Sequence, residues 1–345
     1  MALIAVLLIS VFGLMLIGVP IGFSILIGGA VTIAVSIPAA SLNIVPQQIF
    51  SGLDSFSLLA IPCFLLAGSL MGEGGMTQRL LNFANAILGR FRGGLALSNV
   101  LSATFFAGIS GSAVADTSAL GRVLIPAMIR DGYRPSFAAA VTAAANVMAP
   151  IIPPSIPFVV LGVLTNQSIM RLFIAGILVG LLYSLFMLST VAWIARKEEL
   201  PVHGKTSLPD LWRTFLGAFA ALLMPIFIIL GLRTGVFNVT ECAAVAVVYA
   251  LFVGCVIYRE LPLAKIWQAL ISSAQLTAVI MLIVGAARIF SWILAYTALP
   301  NQIASALLMM TDNPLVFLLL VNILLLIVGM FIEANAAIIM LIPVL

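Results

Sequence analysis

Charge is the scarcest thing in this chain. Only 8% of its 345 residues are charged, against 63% hydrophobic. A soluble domain carries roughly 25% charged residues, so this composition cannot cover a water-facing surface. Histidine is reduced to His203 and cysteine to Cys63, Cys242 and Cys255. That leaves no His–Cys metal cluster, no histidine beside a membrane serine, and no glycine loop with a lysine to cradle phosphate. The common enzymatic machineries are thereby excluded, and any ATP-driven step falls to another chain. All three cysteines lie inside apolar stretches, where they pack as small hydrophobes rather than form disulfides. The net charge of +4 does not point to nucleic acid, because the basic residues stand singly or in small groups at the ends of apolar stretches.

What fills the chain is apolar sequence in lengths that suit a bilayer, where about 17–25 residues make a spanning helix. Lipid offers no partner to an exposed peptide group, so spanning elements are helices or closed barrels. Unbroken apolar runs without period-two alternation choose helices. Simple spans are expected at 2–17, 21–37, 56–72, 137–165, 172–195, 214–232, 241–258 and 272–298. The first is read as a span and not a signal peptide, since it lacks a basic leader and a small-residue cleavage site. Regions 95–129 and 315–345 do not read as simple crossings.

Arg90 and Arg92 precede region 95–129, and Arg130 and Arg134 follow it. Basic flanks favour the cytoplasm, so this region enters and leaves on one side as a re-entrant hairpin. Its tip is Gly108-Ile-Ser-Gly-Ser-Ala-Val-Ala-Asp116. Loops 196–213 and 259–265 are basic and fall inside; loops 38–55 and 299–314 hold no Lys or Arg and fall outside. The N-terminus is then periplasmic.

Sliding the chain on itself by 217 residues sets Gly68 on Gly285, and Asp116–Pro126 on Glu333–Pro343 with an acid, an alanine and Leu-Ile-Pro in register. Five crossings precede residue 214, and an odd number inverts the second copy. Inverted repeats recur in secondary transporters, which bind substrate and ions at broken helices near the midplane. The expected domains are a first repeat at 1–213 and a second at 214–345 that ends within its hairpin. By this register roughly 70–80 residues of the second copy lie beyond Leu345, at one span per 20 or so residues.

Chemistry concentrates at two places. Asn146 to Pro157 carries Pro150, Pro153, Pro154 and Pro157. A proline in a helix interior costs about 3 kcal/mol or more, so this run unwinds span 137–165. The freed carbonyls, with Asn146 and Ser155, form a hard oxygen surface suited to a small cation. A kink used only for packing is the plainer alternative, but one proline would suffice for that. The hairpin tip offers Ser110, Ser112, Thr117 and Ser118 oxygens, with Gly108 and Gly111 allowing close backbone approach. Asp116 either ligates a cation or caps the second hairpin arm; Glu333, with Asn335 beside it, faces the same choice. Glu241, after Asn238-Val-Thr240, reads as a helix cap. Arg288 lies inside an apolar span, where snorkelling, an acid partner and an anionic substrate are all open.

The Asn146–Pro157 segment, the Gly108–Asp116 tip, Gly235–Ala246 and Phe50–Pro62 together resemble the large membrane subunit of TRAP (tripartite ATP-independent periplasmic, DctM-like) transporters. The likeness runs the length of the chain. It departs at Asn238-Val-Thr-Glu241, where the family has Thr-Pro-Thr-Glu, and the family's second proline-rich segment would lie past Leu345. The resemblance implies an all-α polytopic inner-membrane protein of elevator type, with sodium as coupling ion and no other cofactor. It implies a four-helix small membrane subunit and a periplasmic substrate-binding protein as partners. Carboxylates, including C4-dicarboxylates and sialic acids, are the implied substrates. Transferred to this chain, one sodium site would involve Ser110, Gly111, Ser112, Asp116, Asn146, Pro150, Pro153 and Ser155. A second would involve Glu333 and Asn335, and Thr117, Ser118 and Arg288 are candidate substrate contacts. A stand-alone sodium- or proton-coupled anion transporter would share these hairpins, and a passive channel or scaffold is a remoter alternative.

Overall fold

The computed structural model describes residues 2–36, 42–202, 207–297, 313–330 and 334–342. His203 and Glu333 lie outside the described residues. The described chain is helical, without strands. Its α-helices are α1 Ala2–Leu16, α2 Ile21–Ser36, α3 Ile44–Leu53, α4 Ala60–Glu73, α5 Met76–Leu88, α6 Gly94–Ser110, α7 Ala113–Arg130 and α8 Pro135–Ala145. They continue with α9 Ile156–Thr165, α10 Ile169–Lys197, α11 Leu208–Arg233, α12 Val239–Phe252, α13 Leu263–Tyr296, α14 Pro314–Gly329 and α15 Ala334–Leu341. Among the described residues, five helical stretches are long and apolar enough to cross a membrane: Phe56–Glu73, Ile169–Lys197, Leu208–Arg233, Val239–Ile257 and Leu263–Tyr296. Helices α1 and α2, at 15 and 16 residues, are shorter apolar helices.

Two elements depart from the expected loops. Residues 44–53, expected within a loop, form α3, and 76–88 form α5. Both are short and amphipathic. Met76, Leu80, Leu81 and Ala84 face inward along α5, while Gln78 and Asn82 bond to each other on its outer side at 3.0 Å. A hydropathy reading passes over such helices because 10 and 13 residues are too few to span a bilayer; the 3.6-residue period is what identifies them.

The chain forms two compact units, Met1–Leu58 with Val160–Gln167 and Leu276–Leu345, and Leu59–Val159 with Ser168–Gln275. In the first, α1 and α2 pair closely because Gly28 leaves room for Val11. Gly22 and Gly29 likewise accept Leu282 and Ile289 from the second half of α13. The core between them holds Leu7, Val11, Ile25, Ile33, Ile289 and Ile293.

In the second unit, α6 is the central element, packed by α4, α5, α7, α8, α10 and α11. Its small residues, Gly94, Ala96, Ser98, Ala103, Ala107 and Gly108, let so many neighbours approach. Helix α12 lies along α4 and opens with a capping box. There the Glu241 amide donates to the Asn238 Oδ1 at 2.9 Å, and Glu241 Oε2 accepts from the Asn238 amide at 2.8 Å. Glu241 is thus a cap, as its position after Asn238 suggests. Charged groups gather at helix ends, where Arg79 pairs with Glu260 at 2.7 Å and lies over the Tyr258 ring. Arg134 pairs with Glu198.

Candidate ion site at the hairpin tip and the broken helix

Helices α6 and α7 are joined by two residues, Gly111 and Ser112. Gly111 has φ +64°, a left-handed conformation that costs a residue with a β-carbon about 1–2 kcal/mol. Ser112 then starts α7, its Oγ accepting from the Ala115 amide at 3.4 Å. Ser110 Oγ accepts from the Ser112 amide at 3.1 Å. The turn is therefore held by its own serines.

This arrangement gives the capping role weighed for Asp116 to Ser112. Ser112 is the cap, and the Asp116 carboxylate accepts no hydrogen bond on either oxygen although the residue is 0% exposed. The Ser110 hydroxyl is its polar neighbour and tempers the cost of burying the charge. Asp116, Leu120, Gly121, Leu124 and Met128 form the buried stripe of α7, which points the acid inward with the core. An ionisable group without a partner in such surroundings costs at least a few kcal/mol. Its place in the first turn of α7 lets the helix N-terminus offset part of that cost, and a bound cation would offset more.

The second half of the site is the break between α8 and α9. After Ala145 the chain tightens into a 3-10 turn at Asn146–Met148 that packs against both α6 and α7. Asn146 is buried; its Nδ2 donates to the Thr142 carbonyl at 2.8 Å, and its Oδ1 has no donor. The prolines keep residues 149–155 out of a continuous helix, and a cis peptide joins Pro153 to Pro154. Carbonyls here turn toward the hairpin. A β-carbon on Gly111 would lie 2.7 Å from the Pro154 oxygen, and one on Gly108 would lie 3.6 Å from the Pro153 oxygen. Helix α10 backs the break, where Gly176 and Gly180 leave room for Ile151 and Ile152.

Of the residues singled out by sequence, Ser110, Gly111, Ser112, Asp116, Asn146 and Pro153 converge in this unit. Ser155 plays a different part: its hydroxyl donates to the Pro150 carbonyl at 2.5 Å and accepts from the Phe158 amide at 3.3 Å. It closes the loop and starts α9, so the Ser155 and Pro150 oxygens already have protein donors. Thr117 is half-buried and Ser118 exposed, both off the Asp116 stripe. Arg288 and Asn335 belong to the other unit. Arg288 lies across Gly52 of α3, with its Nε buried and no ion pair among the described residues.

Sequence reasoning passed over a polar layer below the tip. Asn99 Nδ2 donates to Thr142 Oγ1 at 2.7 Å, while the fully buried Asn99 Oδ1 and Ser102 Oγ have no partner. The legible signal was the spacing of Asn99 and Ser102 along α6, three residues apart and hence on one face of an apolar helix. Gly68 of α4, noted in the sequence only as a register mark of the repeat, also meets the tip.

Comparison with known proteins gives the family. The family described as "Tripartite ATP-independent periplasmic transporter, DctM component" matches residues 8–345. The 2,3-diketo-L-gulonate TRAP transporter large permease protein of Escherichia coli is 39% identical over 329 residues, covering 95% of this chain and 77% of that protein. The sialic acid TRAP transporter large permease protein of Vibrio cholerae is 40% identical over 331 residues, covering 96% and 77%. The C4-dicarboxylate TRAP transporter large permease protein of Pseudomonas aeruginosa is 39% identical over 318 residues, covering 92% and 74%. The stand-alone transporter, channel and scaffold alternatives give way to these matches. This multi-pass membrane chain therefore belongs to the DctM family, the large permease component of tripartite ATP-independent periplasmic transporters, and is not an enzyme.

Proposed function

We propose that this permease imports small carboxylate anions, driven by an inward sodium gradient and fed by a periplasmic substrate-binding protein, alongside a four-helix small membrane subunit. The observation that carries the sodium reading is the fully buried Asp116 carboxylate without a donor, on the same packed hairpin and broken helix as the donorless Asn146 Oδ1. Oxygen ligands of this kind suit a hard cation. In the sodium site, Asp116 and Asn146 supply side-chain oxygens, and Ser110, Gly111, Ser112 and Pro153 frame it through the tip and the broken helix. The second site draws on Glu333 and Asn335. Thr117, Ser118 and Arg288 are the candidate contacts for the anionic substrate.

Carboxylates are the favoured cargo because 2,3-diketo-L-gulonate, sialic acid and C4-dicarboxylates, the cargoes named for the three relatives, all carry that group. The architecture that goes with this reading is a pair of inverted repeats, 1–213 and 214–345, with re-entrant hairpins in an elevator-type mobile domain and a periplasmic N-terminus. Successive helices at Pro314–Gly329 and Ala334–Leu341 occupy the positions that the repeat assigns to the counterparts of α6 and α7, which supports the repeat.

Uptake into proteoliposomes tests the reading, with small subunit and receptor present and no ATP. Accumulation of a carboxylate that needs both receptor and inward sodium gradient is the expected result. Accumulation without sodium would overturn the coupling, and accumulation without receptor would overturn the receptor's role.

A further inference from the structure

The hairpin tip is held by close contact on three sides, and on each side a glycine or proline makes the contact possible. Helix α11 brings Pro225, whose ring would stand 2.9 Å from a β-carbon on Gly108. The broken helix brings the Pro154 carbonyl to Gly111. The third side is α4. A β-carbon on Gly68 would lie 3.1 Å from the Ile109 carbonyl oxygen, 3.1 Å from Ser110 Cα and 3.7 Å from the Ser110 oxygen. These atoms form the last turn of α6, whose final carbonyls have no partner within the helix.

Helix α4 is itself held from behind. Ala60, Phe64, Leu65, Ala67, Leu70 and Met71 are buried, and α12 packs along it. Next to Gly68, Ser69 Oγ accepts a hydrogen bond from Ser273 at 3.1 Å. The helix therefore presents a fixed backbone surface to the tip. Unlike a side chain, that surface cannot change rotamer to absorb a shift.

We propose that Gly68 is a positioning residue for ion binding: it is the seat on which residues 109–110 rest, and it sets where the tip oxygens stand relative to Asn146 and Asp116. This rests on the sodium reading of the site. Gly68 touches no ion and acts through the tip backbone. A methyl group there cannot be accommodated without moving the tip by a few tenths of an ångström, because carbon–oxygen contacts are ordinarily about 3.5 Å or longer. Coordinating groups must be held within about 0.5 Å of their working positions. A displacement of that size weakens the ion site without dismantling the hairpin.

The test is the sodium dependence of carboxylate uptake by the reconstituted permease with small subunit and receptor, for wild type, Gly68→Ala and Gly72→Ala. Gly72 lies one turn further along the same helix with nothing within 4 Å of a β-carbon. The expected result is that Gly68→Ala raises half-saturating sodium about five- to tenfold, keeping maximal uptake at saturating sodium. Gly72→Ala should match wild type. Sodium-dependent wild type with an unmoved curve in Gly68→Ala overturns the seat and leaves the sodium reading standing; a wild type indifferent to sodium overturns both. An equal shift in Gly72→Ala also overturns it, since any added methyl on α4 would then suffice. If Gly68→Ala does not reach the membrane, Pro225→Ala decides by removing the opposing wall. A raised half-saturating sodium supports a tip held by these contacts, and an unchanged value overturns the proposal.

Discussion

Replacing Asp116 by asparagine keeps the side-chain shape and removes the charge. A cation 4 Å from a carboxylate gains about 4 kcal/mol at an effective dielectric constant of 20. Both charges give up hydration to meet, so the net is closer to the 1.5–3 kcal/mol of hydrogen bonds to charged groups. At 1.4 kcal/mol per tenfold, half-saturating sodium should rise about 10- to 150-fold in Asp116→Asn. Stability gives a second reading of opposite sign. Without sodium, the wild-type carboxylate is buried with no donor, so the variant should melt no lower than wild type, and higher where the charge is the dominant cost. With sodium at about 100 times its wild-type dissociation constant, wild type gains about 2.7 kcal/mol. A variant binding tenfold more weakly gains about 1.4 kcal/mol at the same concentration, and less if binding is weaker still. Thermal unfolding of the purified protein with and without sodium, choline replacing it, measures both. The variant's smaller sodium-induced shift should accompany an undiminished sodium-free melting temperature. A variant that melts lower in both buffers, with its sodium shift intact, would refute the reasoning and make Asp116 a structural acid.

Asn146→Ala removes a donorless oxygen and the bond to the Thr142 carbonyl; it should raise half-saturating sodium more than it lowers expression, read from uptake curves beside membrane-fraction blots. Ser112→Ala loses the cap on the Ala115 amide and should cost about 0.5–2 kcal/mol, with faster protease cleavage at the tip as the readout. Gly111→Ala meets both a positive φ and the Pro154 oxygen, so it should melt lower than Gly72→Ala by at least the equivalent of about 1–2 kcal/mol. The carboxyl of Glu260 is held below its usual range chiefly by the hydrogen bond from Arg79. A lowered folded value means its contribution is present above the unfolded value of about 4.5 and is lost as pH falls through the folded value. The pair is solvent-exposed and worth about a few tenths of a kcal/mol. Glu260→Gln should therefore narrow the gap between melting temperatures at pH 7 and pH 3, and an unchanged gap would remove the pair from the acid response.

How much of the molecule could be read in advance differs by element. The long spans were legible, because 169–197, 208–233 and 263–296 are apolar for longer than a bilayer is thick. The break at 146–155 was legible too, since four prolines in eight residues leave no α-helical solution. Helices α3 and α5 were not, because at 10 and 13 residues they are too short to register as spans. Nor were the bonds of Ser155, whose hydroxyl donates to Pro150 and accepts from Phe158.

By itself the sequence determined that this protein is helical, lives in a membrane, breaks within Asn146–Pro157 and turns within Gly108–Asp116. Each follows from local chemistry: apolar length, missing amide donors, a missing β-carbon. Only the tertiary structure decided which polar groups are left without partners. Whether Asp116 caps a helix or stands free depends on Ser112 having taken the cap and on α7 turning its acid inward. Whether Gly68 matters depends on a tip 41 residues further along coming to rest on it. A hydrogen bond unmade, or a contact across such a separation, is a property of the packed arrangement, and no local stretch of sequence carries it.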